Sequence, residues 1–317
     1  MYKTGIWQSV PARKLHSARV RDITSYRLLK DVSEMSDTVE TFETIVRHLR
    51  LSSGIYRSTY AQRFRDLDPR VNAILERVLR GVTIEVQDWA ASDCLASAEW
   101  TASLWAIFPS AQLIASDILL SLIEVSGHGG KGAYILEPDG APLQYIRPPF
   151  VVSLQKPIPL YYPLNRLVAA RARRDLPEVQ TVIEKWQTGD RSAASRWTVQ
   201  EISLVHPLAR RLAAEDTRFQ IRTHSAFNGL PRACHVIRTM NIFNRGYFDE
   251  SRLRLGVRCA FNSLIEGGIW VLGRTREEAR PPSHSVSIFQ RTKRAFTLLN
   301  RINGGSEIDS LVLGAIF

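Results

Sequence analysis

The chain has 317 residues, of which 44% are hydrophobic and 23% charged, and its formal net charge is +11. This composition is that of a folded protein, and the length suffices for one large domain or two modest ones. No stretch approaches the ~20 uncharged apolar residues that a membrane-spanning helix needs, which argues against an integral helical membrane protein.

The cysteines and histidines predict neither disulfides nor a metal site. Cys94, Cys234 and Cys259 are widely separated, and the seven histidines are scattered without metal-ligand spacing. We interpret the cysteines as small buried side chains in a reducing compartment. Residues 1–22 lack the apolar run and cleavage site of a secretory signal, so we expect a cytoplasmic protein.

Part of the positive charge is concentrated. Residues 147–222 contain 13 Lys and Arg against 7 Asp and Glu, a local excess of +6. Such an excess attracts nucleic acid and anionic membrane surfaces. No nucleic-acid motif or run of interleaved aromatic residues accompanies it, so the pattern favours a solvated basic face over either of these partners.

The N-terminal quarter is predicted to be helical. Residues 1–22 are typical of an irregular basic arm, and apolar residues then recur at three- and four-residue spacing up to residue 80. Asp68 is the expected cap of the last helix there, with Pro69 at its first position. We therefore separate an arm and helical region, residues 1–80, from the rest of the chain.

A strand–helix–strand unit follows. Residues 82–89 and 111–117 predict buried strands, and residues 95–108 predict the helix between them. A turn of small residues joins the first strand to the helix, and residues 118–125 form a further helical or extended segment. Such a unit places the two strands parallel to each other.

Residues 127–205 interrupt this pattern as an insertion or lid, with a hairpin around Pro138-Asp139-Gly140 and a short basic helix within 156–174. The alternation resumes with strands at 218–227, 233–243 and 267–275 and a helix at 249–265. An antiparallel pair, 285–292 and 295–302, precedes a last strand at 310–317. This order predicts a mostly parallel sheet with helices on both faces.

Acidic residues end the first two predicted parallel strands. Asp88 precedes the small residues Ala90, Ser92 and Cys94, and Asp117 comes 29 positions after Asp88. A ligand at the carboxyl ends of such strands lies against the turn and the start of the helix. An acidic residue at the end of the second strand can accept hydrogen bonds from ribose hydroxyls.

These features resemble class I S-adenosylmethionine-dependent methyltransferases, in which an acidic strand end precedes a glycine-rich turn and a second acidic residue ends the next strand. Four further segments resemble the family in the same order along the chain. RTHSAF (222–227) is similar to the family's third-strand region, and HVIRTMNIFNRGYF (235–248) is similar to the fourth-strand motif of chemotaxis-receptor-type enzymes. SLIEGGIWVLGRT (263–275) is similar to the turn into the fifth strand, and FTLLNRINGGSEIDSLVL (296–313) is similar to the terminal hairpin. The likeness covers about 70–126 and 205–317. It departs from the family where Arg238 and Asn241 are not adjacent, and where Ala90, Ser92 and Cys94 replace glycines.

The resemblance implies a Rossmann-like α/β domain over residues 81–317, with the insertion at 127–205. Its mostly parallel seven-stranded sheet would carry helices on both faces and a C-terminal antiparallel hairpin. It implies an enzyme that uses S-adenosyl-L-methionine as cofactor and methylates a small-molecule or peptide acceptor.

The same resemblance assigns roles to residues. Asp88 is expected to contact the methionine part of the cofactor, and Asp117 to hold its ribose. The cofactor-lining turn comprises Ala90, Ser92 and Cys94; the adenine walls comprise Ile118, Ser225, Ala226 and Phe227; and the residues facing the transferred methyl and the acceptor are Asn241, Asn244 and Tyr247. The structural alternatives are a capping role for the two aspartates and core packing for Phe227.

Two other interpretations compete with this one. The loss of the turn glycines, with the Cys94 side chain expected to point towards the cofactor path, also fits a lapsed methyltransferase fold that binds a polyanion or a protein partner. A nicotinamide-dependent oxidoreductase would also contain a strand–helix–strand unit with a ligand at its carboxyl end. It is disfavoured because no G-x-G-x-x-G follows the first strand.

Overall fold

The chain divides into two compact units in the computed structural model, Met1–Thr59 with Leu119–His206, and Tyr60–Ile118 with Pro207–Phe317. The structure describes residues 2–3, 6–7, 25–32, 42–43, 45–46, 49–52, 57, 60–129, 132–147, 150–155, 163–190, 196–276 and 282–317. Most of the predicted N-terminal arm therefore lies outside the described residues.

The helices and strands are numbered in chain order. The first half contains β1 (Tyr2–Lys3), β2 (Ile6–Trp7), α1 (Leu28–Val32), α2 (Asp68–Leu79), β3 (Glu85–Trp89), α3 (Leu95–Ile107), β4 (Gln112–Asp117), β5 (Ser121–Gly127), β6 (Gly132–Leu136), β7 (Pro142–Arg147) and β8 (Phe150–Ser153). The second half contains α4 (Pro163–Gln187), β9 (Trp197–Ser203), α5 (Pro207–Glu215), β10 (Phe219–Thr223), β11 (Cys234–Met240), α6 (Glu250–Ser263), β12 (Leu264–Arg276), β13 (Ser283–Arg291), β14 (Phe296–Ile302) and α7 (Asp309–Leu313).

The unit of residues 60–118 and 207–317 contains a seven-stranded sheet in the order β10-β4-β3-β11-β12-β13-β14. β10, β4, β3, β11 and β12 run parallel to one another. β13 runs antiparallel to both of its neighbours, β12 and β14, so β14 has the same direction as the first five strands. The predicted mostly parallel seven-stranded sheet is thus confirmed. The chain order reverses between β3 and β11, which is where ligands bind in open α/β sheets.

Both faces of this sheet carry helices. Adjacent residues of a strand point to opposite faces. On β11, Ile237 packs in a cluster with Leu253 and Val257 of α6, whereas the guanidinium of Arg238 lies over the ring of Trp100 on α3, 4.1 Å from its centroid. The indole of Trp100 also donates a 2.8 Å hydrogen bond to Asn72 of α2. Helices α2 and α3 therefore pack on the face opposite α6.

The other unit contains a five-stranded antiparallel sheet in the order β8-β7-β6-β5-β9. Alternate residues of β6 enter different cores, because Ala133 and Ile135 pack with N-terminal residues such as Phe42, while Tyr134 packs with the buried side of α4. Much of the predicted insertion thus forms a sheet of its own, and N-terminal residues pack against one face of it. The hairpin expected around residues 138–140 connects β6 to β7.

Three details differ from the sequence-based expectations. Residues 310–317 were expected as a strand, but Asp309–Leu313 is helical because Ile308, Leu311 and Val312 are buried at helical spacing. The basic helix is longer than expected and runs through Pro177 to Gln187. Asp68 does not cap α2, since Leu67 occupies the cap position.

The division at residue 80 remains a sequence-based prediction, and the observed units place α2 with the seven-stranded sheet. None of the described helices is both long and apolar enough to cross a bilayer.

Candidate functional site

The turn after β3 adopts a backbone path that normally requires glycine. Ala90, Ser92 and Cys94 have φ angles of 56°, 58° and 64°, all in the left-handed region. A residue with a Cβ atom pays roughly 1–2 kcal/mol of steric energy for this conformation. The alternating left-handed residues occupy the three positions at which the resembling family has glycines. At these positions the chain thus adopts, with residues that have a Cβ atom, angles that glycine takes without strain.

Hydrogen bonds fix this turn to the end of the neighbouring strand β4. The N–H of Ala91 donates to the carbonyl of Ser116 at 2.9 Å, and the N–H of Ser92 donates to Oδ2 of Asp117 at 2.8 Å. The N–H of Cys94 closes the turn by donating to the carbonyl of Ala91 at 2.9 Å. The two segments expected to bound a nucleoside cleft are consequently adjacent, and they follow neighbouring parallel strands.

Cys94 begins the helix α3 rather than projecting outward. Its side chain is fully buried, and it occupies the N-cap position of α3. Asp93 beside it is also buried and accepts a 3.1 Å hydrogen bond from the N–H of Leu95. The thiol therefore packs within the protein.

The end of β4 presents one carboxylate and one apolar side chain. Asp117 accepts from the turn through Oδ2, as described above, and its carbonyl accepts a 3.0 Å hydrogen bond from the N–H of His224. Ile118 is 68% exposed. A large aliphatic side chain with this exposure offers an apolar surface for a flat ring at the carboxyl edge of the sheet.

The segment after β10 combines a half-buried histidine with aromatic packing. The ring of His224 lies 5.2 Å from that of Trp89, and burial lowers the pKa of His224, so its imidazole is neutral at pH 7. Phe227 contacts Phe243 and Phe248 edge-on, with ring centroids 5.5 and 4.8 Å apart. Phe227 thus makes core contacts, the structural alternative considered above, while Ala226 is buried and Ser225 is partly exposed.

The two asparagines after β11 build the loop in which they lie. Asn241 has a φ of 67°, and its Oδ1 accepts a 2.6 Å hydrogen bond from the N–H of Thr275 on β12. Asn244 is buried, and its amide group donates to the carbonyls of Asn241 and Ile242. Tyr247 is 52% exposed. Of the three residues predicted to contact the acceptor, Tyr247 presents the most accessible polar group.

A buried ion-pair triad that the sequence did not predict lies behind the turn. Arg238 of β11 is 1% exposed, and its guanidinium donates to Asp88 through Nη2 and to Oδ1 of Asp68 through Nη1, the latter at 3.0 Å. Asp88 also accepts a 2.6 Å hydrogen bond from the hydroxyl of Ser97. The pair forms because Arg238 lies opposite Asp88 in the register of β3 and β11. That register is not apparent from the sequence.

The triad holds two carboxylates around one guanidinium. Burial, reinforced by the nearby Asp88, raises the pKa of Asp68 to about 7 although Arg238 opposes the shift. A proton on Asp68 brings the net charge of the triad to zero, which is the least costly state for buried charges. The charge of Asp88 is therefore offset within the protein. A lone carboxylate at this position would attract a ligand ammonium group more strongly.

Within the described part of the chain, no group of three or more His, Cys, Asp and Glu side chains is arranged to hold a metal ion. The carboxylates at this edge of the sheet are engaged by a guanidinium and by backbone N–H groups instead.

No family model and no curated protein matches the sequence. Solved structures do resemble it. An S-adenosylmethionine-dependent methyltransferase from Clostridium acetobutylicum shares 9% identity over 79% of this chain and 82% of its own, with a TM-score of 0.33. An O-methyltransferase family protein from Burkholderia thailandensis is 11% identical in sequence, and the match covers 83% of this chain and 48% of that protein, with a TM-score of 0.31. The S-adenosylmethionine-dependent methyltransferase SibL is 10% identical, and the match covers 67% of this chain and 36% of SibL, with a TM-score of 0.28.

The chain thus spans less than half the length of two of these structures. At 9% to 11% identity and with TM-scores of 0.28 to 0.33, the likeness to these structures carries no argument about the activity or substrate of this chain.

Replacing Arg238 with methionine should destabilise the unit strongly. The substitution keeps the aliphatic stem but leaves two carboxylates buried without their cation, and we expect a loss of about 3–5 kcal/mol in the free energy of unfolding. Urea denaturation measures this loss. Arg254→Met is the control, because Arg254 is exposed and pairs with Glu250 on the same helix, and it should cost less than ~1 kcal/mol. Equal effects of the two substitutions would contradict a structural role for the triad.

The contribution of Asp68 to the stability of the protein should fall as the pH rises from about 4 to 7. The pKa of Asp68 is about 7 in the folded chain against 3.8 for an ordinary aspartate. The folded state therefore retains a proton that the unfolded state loses, and this stabilisation declines by up to ~1.4 kcal/mol per pH unit across that range. Denaturation of the native protein and of Asp68→Asn at a series of pH values measures the difference. A gap between the two proteins that does not change with pH would refute the shift.

Glycine should be favourable at residue 90 and unfavourable at residue 91. Ala90 is left-handed, so Ala90→Gly relieves roughly 1–2 kcal/mol of steric energy against a smaller entropic cost. We expect a net gain of ~0.5–1 kcal/mol in the free energy of unfolding. Ala91 is not left-handed, and Ala91→Gly should lose ~0.5–1 kcal/mol. Chemical denaturation of both variants tests the turn, and a loss of stability in Ala90→Gly would contradict its backbone path.

Proposed function

We propose that the unit of residues 60–118 and 207–317 binds S-adenosyl-L-methionine and transfers its methyl group to a small-molecule or peptide acceptor. The observation that carries this proposal is the turn at residues 90–94. It has three left-handed residues, is hydrogen-bonded to the Asp117 carboxylate and leads directly into helix α3. A turn of this kind lets the backbone approach a nucleoside ligand closely.

The position of the turn in the sheet supports the proposal. It follows β3, and the chain order reverses between β3 and β11. Open α/β sheets bind their ligands in the crevice at this reversal, outside the carboxyl ends of the strands. The start of α3 adds the positive end of a helix dipole, which favours a carboxylate such as that of the cofactor's amino-acid part.

The residues present fit the cofactor in part. Asp117 would accept hydrogen bonds from the ribose hydroxyls, and Ile118, which is 68% exposed, would be covered by the adenine ring together with Ser225 and Ala226. The Cys94 thiol is buried within the protein, which supports the proposal in spite of the missing glycine. Asp88 fits least well, because its charge is already neutralised by Arg238. Its contact with the methionine part would therefore be weaker than a lone carboxylate could provide.

The chemistry needs little from the chain beyond alignment. The bound cofactor supplies an activated methyl group on a sulfonium, and much of the acceleration comes from holding donor and acceptor in line. Asn241 and Asn244 fix the loop after β11, and the exposed Tyr247 on that loop would contact the acceptor. A base is needed only if the acceptor must lose a proton, and His224 is neutral at pH 7 and so able to accept one.

Calorimetric titration with S-adenosylhomocysteine tests the proposal. We expect binding in the micromolar range and a loss of at least about tenfold in Asp117→Asn, since a hydrogen bond to a charged acceptor contributes roughly 1.5–3 kcal/mol. The asparagine oxygen can still accept from the Ser92 N–H, so this variant preserves the turn while removing the charge.

Asp216→Asn is the matched control. Asp216 also loses its charge in this variant, but it precedes β10 and pairs with Arg218, so it belongs to the amino end of the sheet. The affinity of the Asp216→Asn variant for S-adenosylhomocysteine should equal that of the native protein. The absence of any heat with the native protein would reject the proposal. If Cys94→Gly then bound the ligand, the cysteine side chain would be identified as the obstacle.

A further inference from the structure

Helix α4 carries an exposed face that combines leucines with arginines. Leu164 and Leu167 are 63% and 70% exposed. Four arginines of the same half of the helix are also exposed. We call this set the Leu-Arg face; it comprises Leu164, Arg166, Leu167, Arg171, Arg173 and Arg174.

This face is not required for the packing of α4. The residues of the helix that pack on the five-stranded sheet lie on its other side, and they include Ala169, Ala172 and Val179. With a rotation of 100° per residue, Leu164, Leu167, Arg171 and Arg174 fall along one stripe opposite those contacts. The Leu-Arg face is thus presented to solvent by a helix that its buried side already anchors.

The first half of α4 carries positive charge and no acidic residue of its own. Residues 163–174 contain no Asp or Glu, whereas the second half of the helix has Asp175, Glu178 and Glu184. None of the four arginines forms an ion pair or hydrogen bond with a side chain in the ranges that the structure describes. The first half of α4 therefore concentrates positive charge around two exposed aliphatic side chains.

We propose that the Leu-Arg face docks on an anionic lipid surface, with Leu164 and Leu167 entering the headgroup boundary and the arginines contacting lipid phosphates. Helices that lie in a membrane interface combine basic residues with large apolar side chains in this way. The long arginine side chains reach the phosphates while their stems stay on apolar surface. A single-stranded nucleic acid fits less well, because residues 163–174 include no aromatic side chain on which a base could stack.

Sedimentation with vesicles tests this proposal on the full chain. Phosphatidylcholine vesicles with phosphatidylglycerol should carry the protein down, and vesicles of phosphatidylcholine alone should not. High salt should weaken the interaction, because it screens the arginines. L164S/L167S and R171Q/R174Q should each weaken binding by about tenfold or more, since each removes one of the two contributions.

R211Q/R258Q is the matched control, because it removes two exposed arginines elsewhere and changes the net charge equally. Circular dichroism checks that every variant is folded. Binding that is lost in both α4 variants and kept in the control supports the proposal. It is overturned if anionic vesicles do not bind, if the α4 variants bind like the control, or if only the arginine variant is weakened. Binding of single-stranded RNA in place of vesicles, with loss in R171Q/R174Q, would assign the face to nucleic acid and equally overturn it.

Discussion

One buried cation joins three elements of the seven-stranded unit. Arg238 lies inside the protein between Asp88 of β3 and Asp68 of α2, with the rings of Trp100 and Phe64 beside its guanidinium. A buried charge of this kind is tolerated only when its partners are correctly placed, so the triad requires that α2, β3 and β11 pack in one arrangement. The strand end that precedes the candidate cofactor turn is thereby held in place from within the protein.

The same triad changes the chemistry available at the site. In a Rossmann-like domain, a carboxylate at the end of the first strand is well placed to meet a ligand. Here that carboxylate, Asp88, accepts from Arg238 and from the Ser97 hydroxyl. The ligand-facing electrostatics of the edge therefore depend mainly on Asp117 and on the start of α3. A cofactor would be held more by its nucleoside part than by its ammonium group.

Much of the fold could be predicted from the sequence because its signals are local. The apolar segments that contain β3 and β4, the apolar helix α3 and the alternation of strands and helices sufficed to predict a mostly parallel sheet. The triad could not be predicted, since it depends on which residue of β11 lies opposite Asp88. The role of Asn241 was hidden for a similar reason, because its side chain accepts a hydrogen bond from Thr275 on β12. The hydrogen bonds of Asn244 stay within its own loop and depend on the conformation of that loop. Residues 310–317 were mistaken for a strand because a short apolar run does not distinguish a strand from a helix.

The strained turn gives the strongest physical reason to expect a ligand. Left-handed residues with side chains persist only where their surroundings impose the conformation, and such strain is concentrated at functional sites. Each end of the turn is fixed, by the Asp88 contacts before it and by the buried start of α3 after it, and its middle is held by Asp117. A turn that merely connected β3 to α3 could relax to an unstrained path, because small residues such as Ala90 and Ser92 do not require φ > 0. The three unfavourable φ angles within five residues are therefore explained best if the protein uses the backbone path of the turn itself, which lies at the carboxyl edge of the sheet.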